Sequence, residues 1–375
     1  MKKMLFVFPS FYPAYKSGGP VRSATNLIKL LKNKYKFNVF TAARELGEEL
    51  PFSGVNVDSW DNNYEEANVF YSVNSNHSFL KLVNIFHTKQ YDIIYLNSFF
   101  NYRFSTKFVI FYKLGLVKCN SLVLALRGEL TNGAMSIKSK KKKAYLTIFK
   151  LLGLKKNIKF HFTSEDEKNE SLYFLGKSEY IFAPNMHGEV PSYNIKQKEK
   201  NKLNALFLSR ISPKKNLLLA IEAFSKIHFG EVHFTIAGEI DDKVYWEKCC
   251  KQIQRLPNNI KVSFIGAINR ERVSEELFKS HLFILPTLNE NYGHAIVEAM
   301  MHSNLVLISD QTPWSGVQNH GGSVVYNQSL DGYIQEINKV ILLEHSDFNR
   351  QSNAVYKYCD EILKNNVASI NQMFE

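Results

Sequence analysis

The segment Glu290-Asn-Tyr-Gly-His-Ala-Ile-Val-Glu298 sets two carboxylates eight positions apart around a glycine, directly after a short apolar run, His281-Leu-Phe-Ile-Leu-Pro286, that ends in proline. The run reads as a buried strand, and Gly293 to Met301 reads as a helix. A strand that passes into a helix in this way is the junction where an open α/β sheet builds its ligand site, outside the carboxyl ends of its strands. Ala295, Ile296, Ala299 and Met300 form the apolar stripe of the helix. His294 and Glu298, four residues apart, share a different face and can point together beyond the strand end. A solvated His–Glu helix pair would explain those two residues but neither Glu290 nor the glycine.

Working outward, apolar runs alternate with helical periodicity through the first half of the chain. Leu5–Phe8 is followed by a helix over Pro20–Lys32 and a strand over Phe37–Thr41. Then come Asp92–Leu96, a helix near Arg103–Leu114, Ser121–Leu126, a basic helix from Lys138, and Phe160–Ser164. This alternation predicts a parallel, doubly wound sheet. A polar, lysine-rich stretch with Pro191 breaks the pattern between Gly188 and Lys202 and reads as a linker. The pattern restarts with strands at Ala205–Ser209, Val232–Ala237, Val262–Ile265, Leu282–Leu285 and Leu305–Ile308, and helices at Asn216–Ile227 and Tyr245–Leu256. The expected organisation is therefore α/β, with a Rossmann-like domain over 1–187, a linker over 188–202, a second Rossmann-like domain over 203–350, and a crossing helix over 351–375. Val355, Tyr358, Ile362, Val367 and Ile370 lie on one face of that last helix, which is expected to pack back on the N-terminal domain. Two such domains are expected to face each other across one cleft.

At 375 residues and 43.3 kDa, the chain is long enough for two domains that each bury a core. A formal charge of +12 and a pI near 9.2 call for an anionic partner, which composition leaves open between nucleotide phosphate, a phospholipid surface and nucleic acid. Cys119, Cys249, Cys250 and Cys359 form neither a Cys-x-x-Cys pair nor a disulfide framework, so a reducing compartment without structural zinc is expected. The apolar run at the start is too short for a signal peptide, and no stretch approaches the ~20 apolar residues that cross a bilayer. A cytoplasmic protein, soluble or attached to the inner face of the cell membrane, is expected.

Arg210-Ile-Ser-Pro-Lys214-Lys215-Asn216 stands between a strand and a helix, with Ser212 placed to cap and Pro213 suited to the first helical position. Lysines there oppose the positive end of the helix dipole, a conflict that a bound anion would relieve. An ordinary basic turn is the alternative; beside the carboxylate pair, the phosphate site is favoured. Tyr15-Lys-Ser-Gly18-Gly19-Pro20 follows the first strand and lets backbone approach a ligand, although it is neither a dinucleotide fingerprint nor a Walker A loop, and a plain turn would also explain it. Arg127-Gly-Glu129 ends another strand, where it can contact a sugar or phosphate or form a salt-bridged surface loop. His161 is expected inside the sheet. Lys138, Lys140, Lys141, Lys142 and Lys143, followed by Tyr145, Leu146, Ile148, Phe149, Leu151 and Leu152, suit either an anionic membrane surface or a solvated helix face. No nucleic-acid module accompanies them.

Together these parts resemble the family-four retaining glycosyltransferases of GT-B fold. The resemblance rests on Gly18-Gly19, Arg210 with Lys215 five residues later, the Glu-x7-Glu motif from Glu290 to Glu298, and Ser309-Asp-Gln-Thr-Pro-Trp314 after the next strand. It covers nearly the whole chain and is stronger in the second half. It implies a donor site for a nucleotide-diphosphate sugar that includes Gly18, Gly19, Arg210, Lys215, Glu290, Asn291, Tyr292, Gly293, His294 and Glu298. Arg210 and Lys215 would neutralise the leaving diphosphate, Glu298 would hold the ribose hydroxyls, and Glu290 with the amides near Asn291–Gly293 would hold the sugar. The reaction implied is metal-independent and cofactor-free, with retention by a front-face route and a lipid-linked or polysaccharide acceptor. Many relatives carry a histidine in the first-domain loop; here Arg127-Gly-Glu129 stands in its place, so Arg127 joins Arg210, Lys215 and Glu290 as a candidate catalytic residue. The competing readings are a nucleotide-sugar epimerase of the same fold and a non-catalytic basic protein that binds lipid or nucleic acid; Glu-x7-Glu and the Ser309–Trp314 loop favour transfer.

Overall fold

The computed structural model describes residues 1–17, 19–73, 86, 90–136, 138–188 and 190–372. The chain divides into two units, Met1–Gly188 with Asn366–Glu375, and Glu189–Asn365.

The strands of the first unit are β1 (Lys2–Val7), β2 (Tyr35–Ala42), β3 (Trp60–Asp61), β4 (Ala67–Ser72), β5 (Gln90–Asn97), β6 (Lys118–Ala125), β7 (Ile158–Phe162) and β8 (Tyr180–Phe182). Among the described residues they form one sheet of order β3-β4-β2-β1-β5-β6-β7-β8, in which β3 alone runs antiparallel to its neighbour. The order reverses at β1, the crossover geometry of a doubly wound sheet. Side chains alternate across the pleat as a strand requires: Leu5 and Val7 enter one apolar cluster, Met4, Phe6 and Phe8 the other.

Three features of this unit differ from expectation. Strands β3, β4 and β8 lie outside the expected set: β3 and β8 are only two and three residues long, whereas β4 is apolar and almost fully buried between β3 and β2. The helix expected near Arg103–Leu114 begins as a wide π turn over Tyr102–Thr106, where the Asn101 side chain accepts from the Phe104 amide, and becomes α-helical at Lys107–Lys113. The helix expected over Pro20–Lys32 begins one residue earlier and spans Gly19–Leu31.

In the second unit, β9 (Lys202–Leu208), β10 (Glu231–Ala237), β11 (Ile260–Gly266), β12 (Leu282–Leu285), β13 (Leu305–Ser309) and β14 (Ser323–Val325) form a parallel sheet of order β11-β10-β9-β12-β13-β14 among the described residues. Here the order reverses between β9 and β12, and those two strands lead into the Arg210 and Glu290 loops. The two loops singled out by sequence therefore leave the sheet side by side at its topological switch point.

The stretch read as a linker is bound to this second unit by its lysines. Lys196 is buried, and its Nζ donates to the carbonyls of Leu277 and Ser280 and to Asn304 Oδ1. The Lys198 Nζ donates to the carbonyls of Glu199, Ile341 and Leu343. Both ammonium groups thus stand at the carboxyl ends of helices, Arg270–Lys279 and Leu330–Leu342, where orphan carbonyls and the helix dipole favour a cation. The last helix is a single element, His345–Gln372. Phe348, Val355, Cys359 and Leu363 lie in the core of the second unit, whereas Ile370, with Val367 against it, lies in a cluster of the first.

Candidate functional site

The loop after β9 is fixed by backbone before any side chain acts. Ser209 donates to the Ala237 carbonyl, Ile211 donates to Glu239 (2.8 Å), and Asp241 donates back to Ile211 (3.1 Å). Gly238 makes this lacing possible, since a Cβ on it would lie 1.8 Å from the Ser209 carbonyl oxygen. Pro213–Lys215 then form a separate 3-10 turn, and the α-helix begins only at Leu217, after Asn216 in the left-handed region (φ 54°). Ser212 makes no side-chain cap. Lys214 and Lys215 therefore do not occupy the first turn of the long helix, and the dipole conflict expected there is corrected to a charge problem solved by pairing.

The pairing is specific. The Lys215 Nζ forms an ion pair with Glu290 Oε1, with side chains only 11% and 16% exposed. Arg210 pairs with Asp241 at 3.0 Å in an exposed position. The Lys214 carbonyl accepts from the Leu288 amide (2.8 Å) and the Thr287 hydroxyl (3.2 Å), which ties the β9 loop to the β12 loop. Burial first, and then the neighbouring Lys215, hold the Lys214 ammonium below its ordinary pKa.

The loop after β12 is held from the other side. The Glu290 amide donates to Gln311 (2.9 Å), and the Trp314 indole donates to the Tyr292 carbonyl, with the Tyr292 and Trp314 rings edge to face at 5.4 Å. Tyr292 is buried, so its ring is a support for the loop, and its centroid lies 5.0 Å from that of His294. Gly293 adopts φ 76°, and a Cβ there would meet Ile296 Cδ1 at 2.8 Å and Glu290 Cγ at 3.2 Å. It turns the chain sharply into the His294–Met301 helix, whose amino end has no side-chain cap. Asn291, His294 and Glu298 are partly buried at this junction. The result is a patch of cations, carboxylates and first-turn amides at the carboxyl ends of adjacent strands, suited to a ligand that carries both phosphate and hydroxyl groups. Among the described residues, no group of three or more His, Cys, Asp or Glu side chains could hold a metal ion.

In the first unit, Gly18 lies outside the described residues, and Gly19 opens the Gly19–Leu31 helix. Arg127, in the left-handed region at φ 54°, directs its guanidinium inward: Nε donates to Asn97 (2.7 Å), Nη2 to the Tyr95 hydroxyl (3.1 Å), and Nη1 to Asn185. Tyr95 is 2.6 Å from His161 Nδ1, and His161 Nε2 is 2.8 Å from the Ala183 carbonyl. The Nε2–H tautomer satisfies both contacts, with Tyr95 donating. Burial, then Arg127, push the His161 pKa down to about 3 and keep the ring neutral, inside the sheet as expected. Glu129 accepts from the amides of Phe99 (2.6 Å) and Phe100 (2.9 Å), while buried Glu167 accepts from Gly128 and Thr163. These bonds make Arg127-Gly-Glu129 a rigid loop. Neither Gly238 nor Glu167 was marked by sequence, because their partners are remote backbone atoms.

The fold is that of the GT-B glycosyltransferases. HepE from Anabaena in complex with UDP and glucose is similar over 99% of this chain and 98% of its own, with TM-score 0.70 and 18% identity. Sucrose-phosphate synthase from Thermosynechococcus elongatus is similar over 100% and 98%, with TM-score 0.74 and 14% identity. A glycosyltransferase from Rickettsia africae is similar over 100% and 97%, with TM-score 0.70 and 15% identity. No curated protein sequence matches the chain. Residues 192–358, nearly all of the second unit, match the family Glycosyl transferases group 1; the chain carries a domain of that family, and the protein is a glycosyltransferase.

Proposed function

We propose that the second unit binds a nucleotide-diphosphate sugar and that the enzyme transfers the sugar, with retention of configuration, to a hydroxyl of a lipid-linked or polysaccharide intermediate. The observation that carries this reading is the shielded ion pair of Lys215 with Glu290, which joins the loops after β9 and β12 inside the span that matches the group 1 family; Arg210 stands on the same β9 loop, paired with Asp241. The UDP and glucose held by HepE support it by likeness of fold.

In this reading Arg210 and Lys215 face the diphosphate, and fixed positive charge does the work of a metal as negative charge grows on the leaving group. Glu298 accepts from ribose hydroxyls, and Glu290 with the amides around Asn291–Gly293 holds the sugar, beside His294. The acceptor oxygen bonds to the anomeric carbon on the face from which the diphosphate departs with the bonding electrons, and the acceptor proton passes to the departing phosphate oxygen. Gly18, Gly19 and Arg127 belong to the first unit; Arg127 serves there by holding its loop in shape.

An anionic membrane surface is the proposed location of the acceptor. In the Ser139–Leu151 helix, Leu146 and Phe149 are buried while Ile148, Leu151 and the following Leu152 are exposed, beside exposed Lys138, Lys140, Lys141 and Lys143. Lys142 instead donates to the Ala134 carbonyl and lies over the Phe100 ring. Apolar groups flanked by ammonium groups suit a headgroup layer on the cytoplasmic side. No described helix is long and apolar enough to cross a membrane.

The test is turnover of UDP- and GDP-sugars by the purified protein in a chelator, followed by anomeric proton spectra. Release of a nucleoside diphosphate and an α-linked product from an α-linked donor is expected. Inertness toward every nucleotide sugar, or an inverted product, would overturn the reading.

A further inference from the structure

Among the described residues, β11 closes the second sheet on one side with no strand beyond it. The other strands at sheet ends, β3, β8 and β14, are two or three residues long, too short to template a further strand, whereas β11 runs for seven, Ile260–Gly266. In its ladder with β10, Val232 lies opposite Ile260, and the Val232 amide donates to the Asn259 carbonyl (3.0 Å). Asn259, Lys261 and Ser263 therefore turn their main-chain groups toward β10, and Ile260, Val262 and Phe264 turn theirs outward, as alternation along a parallel ladder requires. The Ile260 amide is taken up by the Pro257 carbonyl (3.0 Å), which leaves the Ile260 carbonyl and both groups of Val262 and Phe264 on the outer edge.

Edge strands are ordinarily protected by shortness, proline, bulges or charge. β11 contains no proline, and its single charge, Lys261, is exposed and pairs loosely with Glu231 at 3.8 Å. Phe264 is 40% exposed, although its ring centroid lies 4.5 Å from that of Trp246 on the Lys243–Ile253 helix. The register shift in the β10–β11 ladder falls after Ile236 and Phe264, so the edge is regular from Ile260 to Phe264.

Val262 is the middle of that regular stretch. Antiparallel pairing with a second copy about a two-fold axis there lets the two Val262 residues exchange both bonds and each Phe264 amide meet the Ile260 carbonyl of the other copy. It sets Phe264 across from Ile260 as an apolar pair and Lys261 across from Ser263, so that no like charges meet. An axis one residue earlier would oppose the two Lys261 ammonium groups. The strands of the two copies run in opposite directions, so the loops after β9 and β12 open away from each other. We infer that β11 is a docking edge for a second copy of this chain, the two strands pairing antiparallel about Val262 into one sheet that runs through both second units.

The test is sedimentation velocity of the full chain from about 1 to about 200 µM. A reversible monomer–dimer equilibrium with Kd on the order of 10 µM is expected, since a single strand edge buries less than a standard interface. Ser263 is exposed, so its substitution spares the folded unit. Ser263→Lys sets a second ammonium against Lys261 of the other copy and should weaken association by about five-fold or more, whereas Ser263→Glu sets a carboxylate there and should tighten it by about five-fold. The same two substitutions at exposed Ser53 of the first unit change net charge equally and should leave association unchanged. A monomer at every concentration, growth beyond the dimer, a dimer that responds alike to both Ser263 variants, or an equal response at Ser53 overturns the inference.

Discussion

Lys215 and Glu290 are joined in an ion pair, although they belong to loops that leave neighbouring strands, β9 and β12. The same lysine is assigned to the diphosphate, so the carboxylate competes with the ligand for it. In the proposed donor site, binding of a diphosphate would exchange one anionic partner of Lys215 for another and free Glu290 for sugar hydroxyls.

That exchange predicts an unusual split for Glu290→Gln. With the competing charge removed, the nucleoside diphosphate should bind as tightly as before or a few-fold more tightly, while transfer falls by about a hundred-fold or more. Calorimetry with UDP and GDP, beside turnover, reads both; a parallel loss of nucleotide binding and turnover would contradict the exchange.

Lys215→Ala should act in the opposite sense. It strips the diphosphate of a shielded cation and leaves Glu290 without its partner, so nucleotide affinity should drop by about thirty-fold or more, with a loss of roughly 1–3 kcal/mol in urea unfolding. The Lys215→Ala, Glu290→Gln double variant should recover most of the stability but not the affinity.

Arg127→Lys keeps the charge but not the planar fork that reaches Asn97, Asn185 and Tyr95. Unfolding of the first unit should become easier by about 1–3 kcal/mol, with nucleotide affinity at the second unit unchanged. A loss of nucleotide affinity at full stability would make Arg127 a ligand contact.

The second unit was legible where function and local pattern coincide. Glu290, Gly293 and Glu298 stand at a strand–glycine–helix junction that periodicity alone exposes, and the placement of their loop beside that of Arg210 follows from strand order. Hidden from sequence were bonds between side chains and remote backbone. Glu129 and Glu167 look like surface acids, yet each gathers amides from elsewhere in its loop or the neighbouring one. Lys196 and Lys198 look like linker residues, yet they bond to the carboxyl ends of two helices. At Pro213–Lys215 the sequence predicts the start of a helix, because proline at N1 is a good start signal; the structure has a 3-10 turn there, and Asn216 in the left-handed region leaves no mark in the pattern.

Acid should weaken the first unit through His161. Its folded pKa, about 3, lies below the ordinary 6.5, so between those values the unfolded chain binds the extra proton and stability falls as pH falls. His187, also depressed to about 3 by burial and Arg22, adds to the same slope. Urea titrations from pH 7 to 4 should show this loss, and His161→Gln should flatten it; an unchanged slope would mean that His161 is not buried in its neutral form.

The most direct test of the donor assignment is nucleoside-diphosphate binding to the wild-type protein and to Arg210→Ala, Lys215→Ala in the presence of a chelator, read by thermal shift. Stabilisation of the wild type by UDP or GDP, about 2–3 kcal/mol near a hundred-fold excess over Kd, and its loss in the double variant are expected. Absence of stabilisation by every nucleoside diphosphate, or equal stabilisation of both proteins, would contradict a phosphate site at the β9 and β12 loops.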